Sequence, residues 1–358
     1  MRTLRKVIIL VTVVIMNVTL ITNTKINIYA IPSLNTDYRK IANIAVIFPD
    51  LNNPFAVLIK QGLEDIQKKN EDKISFTFFD GKDNVAIQSE ILDNLLNKDN
   101  FDLFIIQLAD VKENIVEDVI NKVKPKNIPI ILSNIAPSVA NKLSKDYNKA
   151  VFLTEDFKQP AILEGKIIVD AWNVNKNNID KNGDSILQYI MLEGAENDET
   201  AIDRTKYSVS TINDAGIKTQ LLAEQVANWD KELAKDAIES LFLKYDGKIE
   251  AIIANNDAMA IGAIEALQKY GYNNGDKSKN IAVVGIDGLP EAKELVDKGV
   301  MTGTVVHNPN DIAEIFYTVA MNLINNVNPL ENTNYKYSET GVVSPILYYE
   351  YTNKDNIS

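Results

Sequence analysis

The chain has 358 residues, 46% of them hydrophobic and 24% charged, enough for two globular cores of ordinary size. Its 37 Lys and Arg stand against 49 Asp and Glu, and a net charge of -12 without a basic stripe excludes nucleic acid as a partner. The absence of cysteine removes disulfides, thiolate nucleophiles and sulfur-ligated metals, and the single histidine, His307, is the one residue around which a serine-type triad could form.

Arg2, Arg5 and Lys6 precede an apolar run at 7–21, the charged and hydrophobic regions of an export signal. The run is shorter than the ~20 residues of a comfortable transmembrane helix, and Asn17 weakens it further. Cleavage after Ala30 meets a poor site, because Ile28 stands where a small residue is wanted. Two readings follow, a cleaved signal or an uncleaved N-terminal anchor, and both put the protein in a periplasm or on the outer face of the cytoplasmic membrane. A lipid tether is excluded by the lack of cysteine.

After a polar linker at 36–39, predicted strands at 44–48, 74–79, 103–106 and 128–132 alternate with helices at 55–68, 86–97 and 112–123. This rhythm predicts a parallel sheet with helices on both faces, and the first lobe is expected to end near Asn134. A second series opens with a strand at 151–153 and a long helix from 159 to about 173. Strands at 187–191, 219–222, 251–253, 281–284 and 303–306 then alternate with helices at 200–215, 231–243 and 258–270. A helix at 311–325 and a tail at 341–351 remain. The predicted class is α/β, with two doubly wound parallel-sheet lobes.

Two strand ends are the most informative. ANNDAMAIGAIEAL at 254–267 and GIDGLPEA at 285–292 each follow a buried strand with polar residues and then an amphipathic helix. The crevice at the carboxyl ends of such strands is where α/β folds hold small ligands, so Asn256 and Asp287 are expected to face one, with helix capping as the alternative role. Trp229 in VANWDKELAKD and Phe55 in PDLNNPF also fall at strand-to-helix turns, where core packing is an equal reading. Arg204, in DRTKY near a helix start, reads on its own as a solvated residue.

Together these motifs resemble the strand-end signatures of the galactose/glucose-binding proteins, sugar receptors of the type I periplasmic-binding fold. A weaker resemblance runs from about Ile44 to the C-terminus. It implies a three-strand hinge between a first lobe at 41–134 and 307–342 and a second at 135–306 and 343–358, after the segment 1–40. It also implies that Phe55 and Trp229 cover the two faces of a pyranose, that Arg204 donates to the ring oxygen and a hydroxyl, and that Asp287 and Asn256 grip further hydroxyls. The chain departs from that pattern at Asn53 and Gln107, where the family has aspartate and asparagine, and at His307, again an asparagine there. Asp198 and Thr200 fall where it has histidine and aspartate. Each charge-assisted hydrogen bond lost by such changes contributes about 1.5–3 kcal/mol, so the hydroxyl preference is expected to differ.

Asp180, Asn182 and Asp184 alternate in DKNGDSILQ at 180–188, with Ile186 and Gln188 continuing the spacing. Oxygen ligands at every second position suit Ca2+, with Ile186 giving its carbonyl. Loop position 12 is Met191, so the motif is not a self-contained EF-hand; the resemblance supplies Glu250 as the distant bidentate ligand. Ser185 replaces the glycine expected at position 6, and a metal-free Asn/Asp turn is the alternative.

The expected function is a non-catalytic, exported monosaccharide receptor, acting as a monomer and delivering galactose or glucose to an ABC-type permease. The alternative is a membrane-anchored sensor that presents its closed form to a histidine kinase or chemoreceptor. A glycosidase is the rival of a different class, since Asp180, Asp184, Asp198, Glu250 and Asp287 offer carboxylates for such chemistry.

Overall fold

Near-continuous apolar runs such as ANIAVIF, LFIIQ and AIIA suit strands covered on both faces, and in the computed structural model they are central strands of two sheets. The structure describes residues 41–154, 157–245, 247–333, 336–338, 341–343 and 348–353. The export segment and linker expected at 1–40 lie outside them.

The chain begins with β1 (Ala42–Phe48), α1 (Pro54–Lys69), β2 (Ile74–Asp80), α2 (Val85–Lys98), β3 (Leu103–Gln107) and α3 (Glu113–Val123). Next come β4 (Ile130–Ser133), α4 (Pro137–Leu143), β5 (Ala150–Thr154), α5 (Lys158–Ile179), β6 (Ile186–Glu193), α6 (Glu199–Asp214) and β7 (Lys218–Val226). The series continues through α7 (Lys231–Lys244), β8 (Ala251–Ala254), α8 (Asp257–Lys269), β9 (Ala282–Asp287), α9 (Pro290–Asp297), β10 (Gly303–Val306) and α10 (Pro309–Ile324). It ends with β11 (Lys336–Ser338), β12 (Gly341–Val343) and β13 (Tyr349–Thr352).

One sheet has the order β11-β12-β5-β4-β3-β1-β2 and the other β13-β10-β9-β8-β6-β7. All pairings are parallel except β11 with β12 and β10 with β13. These are two α/β lobes of doubly wound type. The chain passes between the sheets after Thr154, after Val306 and after Val343. On its second passage it returns through α10, which lies so close to α1 that a Cβ on Gly62 would sit 2.9 Å from the Ala313 Cβ.

The expected end of the first lobe near Asn134 is corrected by this topology. The strand predicted at 151–153 belongs to β5, which pairs with β4 in the first sheet from Ile130↔Ala150 to Ser133↔Leu153. Phe152 packs in the same apolar cluster as Phe104 and Leu132, so the strand completes the first core instead of opening the second. A buried strand carries the same apolar signature whichever sheet it joins, and α4 between, only seven residues long, gave no periodic signal. The third return falls just after Val343, which still pairs with Thr154 of the first sheet.

In the second lobe α7 and α8 approach through Gly262, where a Cβ would lie 2.1 Å from the Lys231 carbonyl oxygen. Backbone cannot yield there as a flexible side chain could. Gly262→Ala should therefore force the helices apart and destabilise the protein by about 1–3 kcal/mol, read as a lower melting temperature. An unchanged melting temperature would show that the helices have room to spare.

Candidate ligand-binding site

Parallel strands deliver their carboxyl ends to one edge of each sheet, and the sequence-predicted residues follow those ends. Phe55 and Asn53 lie after β1, Gln107 at the end of β3, Asp198 after β6, and Trp229 after β7. Asn256, Asp287 and His307 lie at or just beyond β8, β9 and β10. Arg204 comes from the second turn of α6.

Six of these residues form one connected group. The Phe55 ring stacks on the His307 imidazole with centroids 4.1 Å apart, and His307 Nε2 lies 3.4 Å from Asp287 Oδ1. Arg204 NH1 is 3.8 Å from that same oxygen and donates to the Asn255 carbonyl at 2.6 Å. The guanidinium also sits 5.6 Å from the centroid of the Trp229 ring, and Asn256 Nδ2 donates to the Trp229 carbonyl at 3.2 Å. Phe55 of the first lobe thus meets His307 on the second passage, which in turn lies against Asp287 of the second lobe. Tyr348, which sequence reasoning missed, stacks on His307 at 5.2 Å from the third passage between the sheets.

The other three stand at the margin. Asn53 caps α1, its Oδ1 accepting from the backbone N–H of Phe55 and Ala56. Asp198 caps α6 through Thr200 N at 2.8 Å, and burial holds its carboxyl above the ordinary carboxylate range. Gln107 enters through its carbonyl, which accepts from Gln88 Nε2 at 2.9 Å. Among the described residues, no hydrogen bond joins Gln107 or Asp198 to the central six.

Two features set this group apart from an ordinary packed core. Arg204 Nε and His307 Nδ1 are buried and have no hydrogen-bond partner, although such atoms are nearly always paired in folded proteins. In the neutral tautomer that donates from Nε2 to the Asp287 carboxylate, Nδ1 is an acceptor. The backbone is strained nearby: Asn228 has φ 48°, Trp229 62° and Asp287 134°, values that side chains other than glycine adopt reluctantly. Gly194 leaves space for the indole, since a Cβ there would lie 2.2 Å from Trp229 Cζ2.

Asn255 and Asp257, which flank Asn256 in the ANND motif, hold the loops in place. Asn255 Oδ1 accepts from Gly194 N at 3.0 Å. Asp257 accepts from Leu289 N at 2.8 Å and from Thr304 Oγ1 at 2.7 Å, tying the start of α8 to the loop after β9 and to β10. Their motif was visible in the sequence; their partners, distant along the chain, were not.

The acidic loop at 180–188 is drawn together with Glu250. Glu250 accepts from Lys181 N at 2.6 Å and Gln188 N at 3.0 Å, while Asp180 Oδ2 accepts from Ser185 N at 3.0 Å. Asn182 Nδ2 and Gln188 Nε2 both donate to Asp184 Oδ2, at 3.0 and 2.9 Å. Ser185 takes φ 60°, the conformation for which glycine was expected. Among the described residues no three His, Cys, Asp or Glu side chains converge at metal-ligand spacing. Yet Asp180 Oδ1 is buried without a partner, and either amide becomes an inward-facing acceptor on a 180° turn. Carboxylate, amide and carbonyl oxygens are the donor types that a hard cation takes.

Two α/β lobes joined by three passages, with polar and aromatic side chains gathered at the strand ends of both, define a two-lobed ligand-binding receptor. The chain belongs to the periplasmic binding protein family: the periplasmic binding protein domain matches residues 44–327. It is 29% identical over 329 residues to the D-galactose/methyl-galactoside binding periplasmic protein of Haemophilus influenzae, covering 92% of this chain and 94% of that one. It is 28% identical over 279 residues to the D-allose-binding periplasmic protein of Escherichia coli, covering 78% and 83%. In structure it resembles an ABC transporter periplasmic solute binding protein from Actinobacillus succinogenes with bound D-allose, with TM-score 0.70, 21% identity, and 88% and 99% of the two chains covered. A solute binding protein from Bacillus halodurans with bound myo-inositol gives 0.69, 21%, and 90% and 98%. No described helix is long and apolar enough to cross a membrane.

Asp257 links the stability of the second lobe to pH. Burial, with the nearby Asp287 charge, raises its carboxyl to about 7, against the hydrogen bonds that favour ionisation. A carboxyl raised by folding stabilises the native state fully below its unfolded pKa and loses that contribution as pH rises through the folded value. The melting temperature should accordingly fall between about pH 4 and pH 7 in the wild type, and Asp257→Asn should flatten that slope. Equal slopes in the two proteins would refute the assignment.

Proposed function

We propose that this protein is a monosaccharide receptor, non-enzymatic and exported, that closes its two lobes on an aldohexose of the galactose or glucose type and presents it to an ABC-type permease. The observation that carries the reading is the pair of buried, unpartnered atoms in the inter-lobe group: Arg204 Nε, a donor on a guanidinium that lies over the Trp229 ring, and His307 Nδ1, on an imidazole that stacks on Phe55, with the Asp287 carboxylate near both side chains. A pyranose offers both complements: hydroxyls that donate and accept at once, and C–H faces that lie on aromatic rings. The similarity to galactose- and allose-binding receptors supports the same ligand class. Asn53, Gln107, Asp198, Thr200 and His307, where the galactose/glucose-binding pattern has other side chains, would shift the preference among hydroxyl configurations.

A thermal-shift panel of D-galactose, D-glucose, D-allose and D-ribose tests this. A ligand that binds only the folded state stabilises it by about 2.7 kcal/mol at a hundredfold excess over Kd, so at least one sugar should raise the melting temperature by several degrees. Arg204→Ala and Trp229→Ala should each abolish that shift. No shift with any sugar in the wild type would sink the proposal.

We also assign a structural Ca2+ to the loop, held by Asp180, Asn182, Asp184, the Ile186 carbonyl, Gln188 and Glu250. Its support is the unpartnered Asp180 Oδ1 within a cluster of carboxylates and amides. The cation would neutralise these charges and tie the start of β6 to the residue before β8, with no part in chemistry. A chelator should lower the melting temperature and added Ca2+ restore it, while Glu250→Gln should be insensitive to both. A wild type indifferent to chelation would mean that the loop's own hydrogen bonds suffice.

A further inference from the structure

Four ionisable side chains are buried together in the second lobe, and their charges do not balance. Arg204 is the single cation; Glu164, Asp257 and Asp287 are the carboxyls, with exposures of 6%, 0%, 0% and 7% in that order. Asp257 has two good donors and Asp287 has Arg204 and His307. Glu164, in the second turn of α5, has nothing: both of its oxygens are buried without a hydrogen-bond partner.

Its position is set by close helix packing. At the next residue, Gly165, a Cβ would lie 2.5 Å from the Ser208 carbonyl oxygen, so only glycine lets α5 approach α6 this closely. Ser208 Oγ in turn donates to the Arg204 carbonyl at 2.8 Å. The Glu164–Gly165 step is thereby seated against residues 208–211 of α6, the turn that follows the site's arginine and is tied to it by Ser208, and the arginine's Nε is also buried and unpartnered.

We propose that Glu164 is a positioning residue for Arg204, its carboxyl deciding how much of the guanidinium charge is left for a ligand between the lobes; this rests on the monosaccharide-receptor reading. Un-ionised, Glu164 makes no claim on Arg204, which then serves Asp287 and the ligand. Ionised, it competes for the same guanidinium from the α5 side and draws it off the ligand.

The surroundings favour the un-ionised form. Burial pushes the Glu164 carboxyl well above its usual range, Asp257 pushes the same way, and Arg204 opposes both. The charged groups on the packed elements are Arg204 from α6, Asp257 from α8, and Asp287 from β9 with His307 against it. On the outer side of α5, Lys166 pairs with Glu350 of β13 at 3.1 Å, and Lys158 lies over the Tyr207 ring of α6. Strand β10 contributes no titratable group, only the Thr304 hydroxyl bound to Asp257.

The test measures Kd for D-galactose, D-glucose and D-allose by calorimetry across about pH 5–9, in the full chain and in Glu164→Gln. The wild type should lose about threefold or more in affinity as pH rises, while Glu164→Gln should lose clearly less, keeping only the part of the slope that Asp257 contributes. Parallel profiles overturn the role of Glu164 and leave the sugar reading intact; absence of binding by the wild type overturns the sugar reading and this inference with it. A second readout needs no sugar. The melting temperature of Glu164→Gln, relative to wild type, should rise with pH, because the wild type alone must ionise or desolvate a buried carboxyl. A difference that does not change with pH shows that Glu164 is not the un-ionised group, and also overturns the proposal.

Discussion

The organisation of the site depends on one buried cation. Removing a guanidinium from water costs several kcal/mol, which must be offset by hydrogen bonds and by opposite charge. Arg204 receives the Asn255 carbonyl, the Asp287 carboxylate and the face of Trp229. Each of these is itself held elsewhere: Asn255 by Gly194, Asp287 beside His307, and Trp229 by Asn256. The arginine is the node through which loops after β6, β7, β8, β9 and β10 are brought into register with one another. A planar, permanently charged fork suits that role, and a lysine could not meet the same set of partners.

The sheets make this convergence possible. A parallel strand buried on both faces can place polar side chains only beyond its end, where the hydrogen-bonded ladder stops and a helix begins. Asn256 is both a helix cap and a member of the central group for that reason, and Asn53 and Asp198 cap helices at its margin. Capping orients each side chain before any ligand arrives, so little conformational freedom remains to be lost on binding. The price is local strain, concentrated at Asn228, Trp229 and Asp287.

Coupling between lobes runs through aromatic rings. Phe55 belongs to α1 of the first lobe, while His307 and Tyr348 lie on the second and third passages between the sheets, and the three rings stack in sequence. His307 touches Asp287 as well. A ligand that engaged Asp287 and Phe55 would therefore act on both the polar node and two of the connecting passages, as the proposed closure of the lobes requires.

Alternation of apolar runs with amphipathic helices was enough to fix two α/β lobes, and polar residues at strand ends were enough to single out Asn256 and Asp287. The alternating oxygens of 180–188 were equally plain. These signals are local, written within a few residues by strand and helix periodicity and by turn chemistry. The sheet that β5 joins, the stacking of Phe55 on His307, and the burial of Glu164 where α5 packs on α6 were decided only in the tertiary structure. A buried strand looks alike in either sheet, and a glutamate in an amphipathic helix reads as solvated until the helix across from it is known. Which buried charge has a partner, and which has none, is a property of segments far apart in the chain brought to one place.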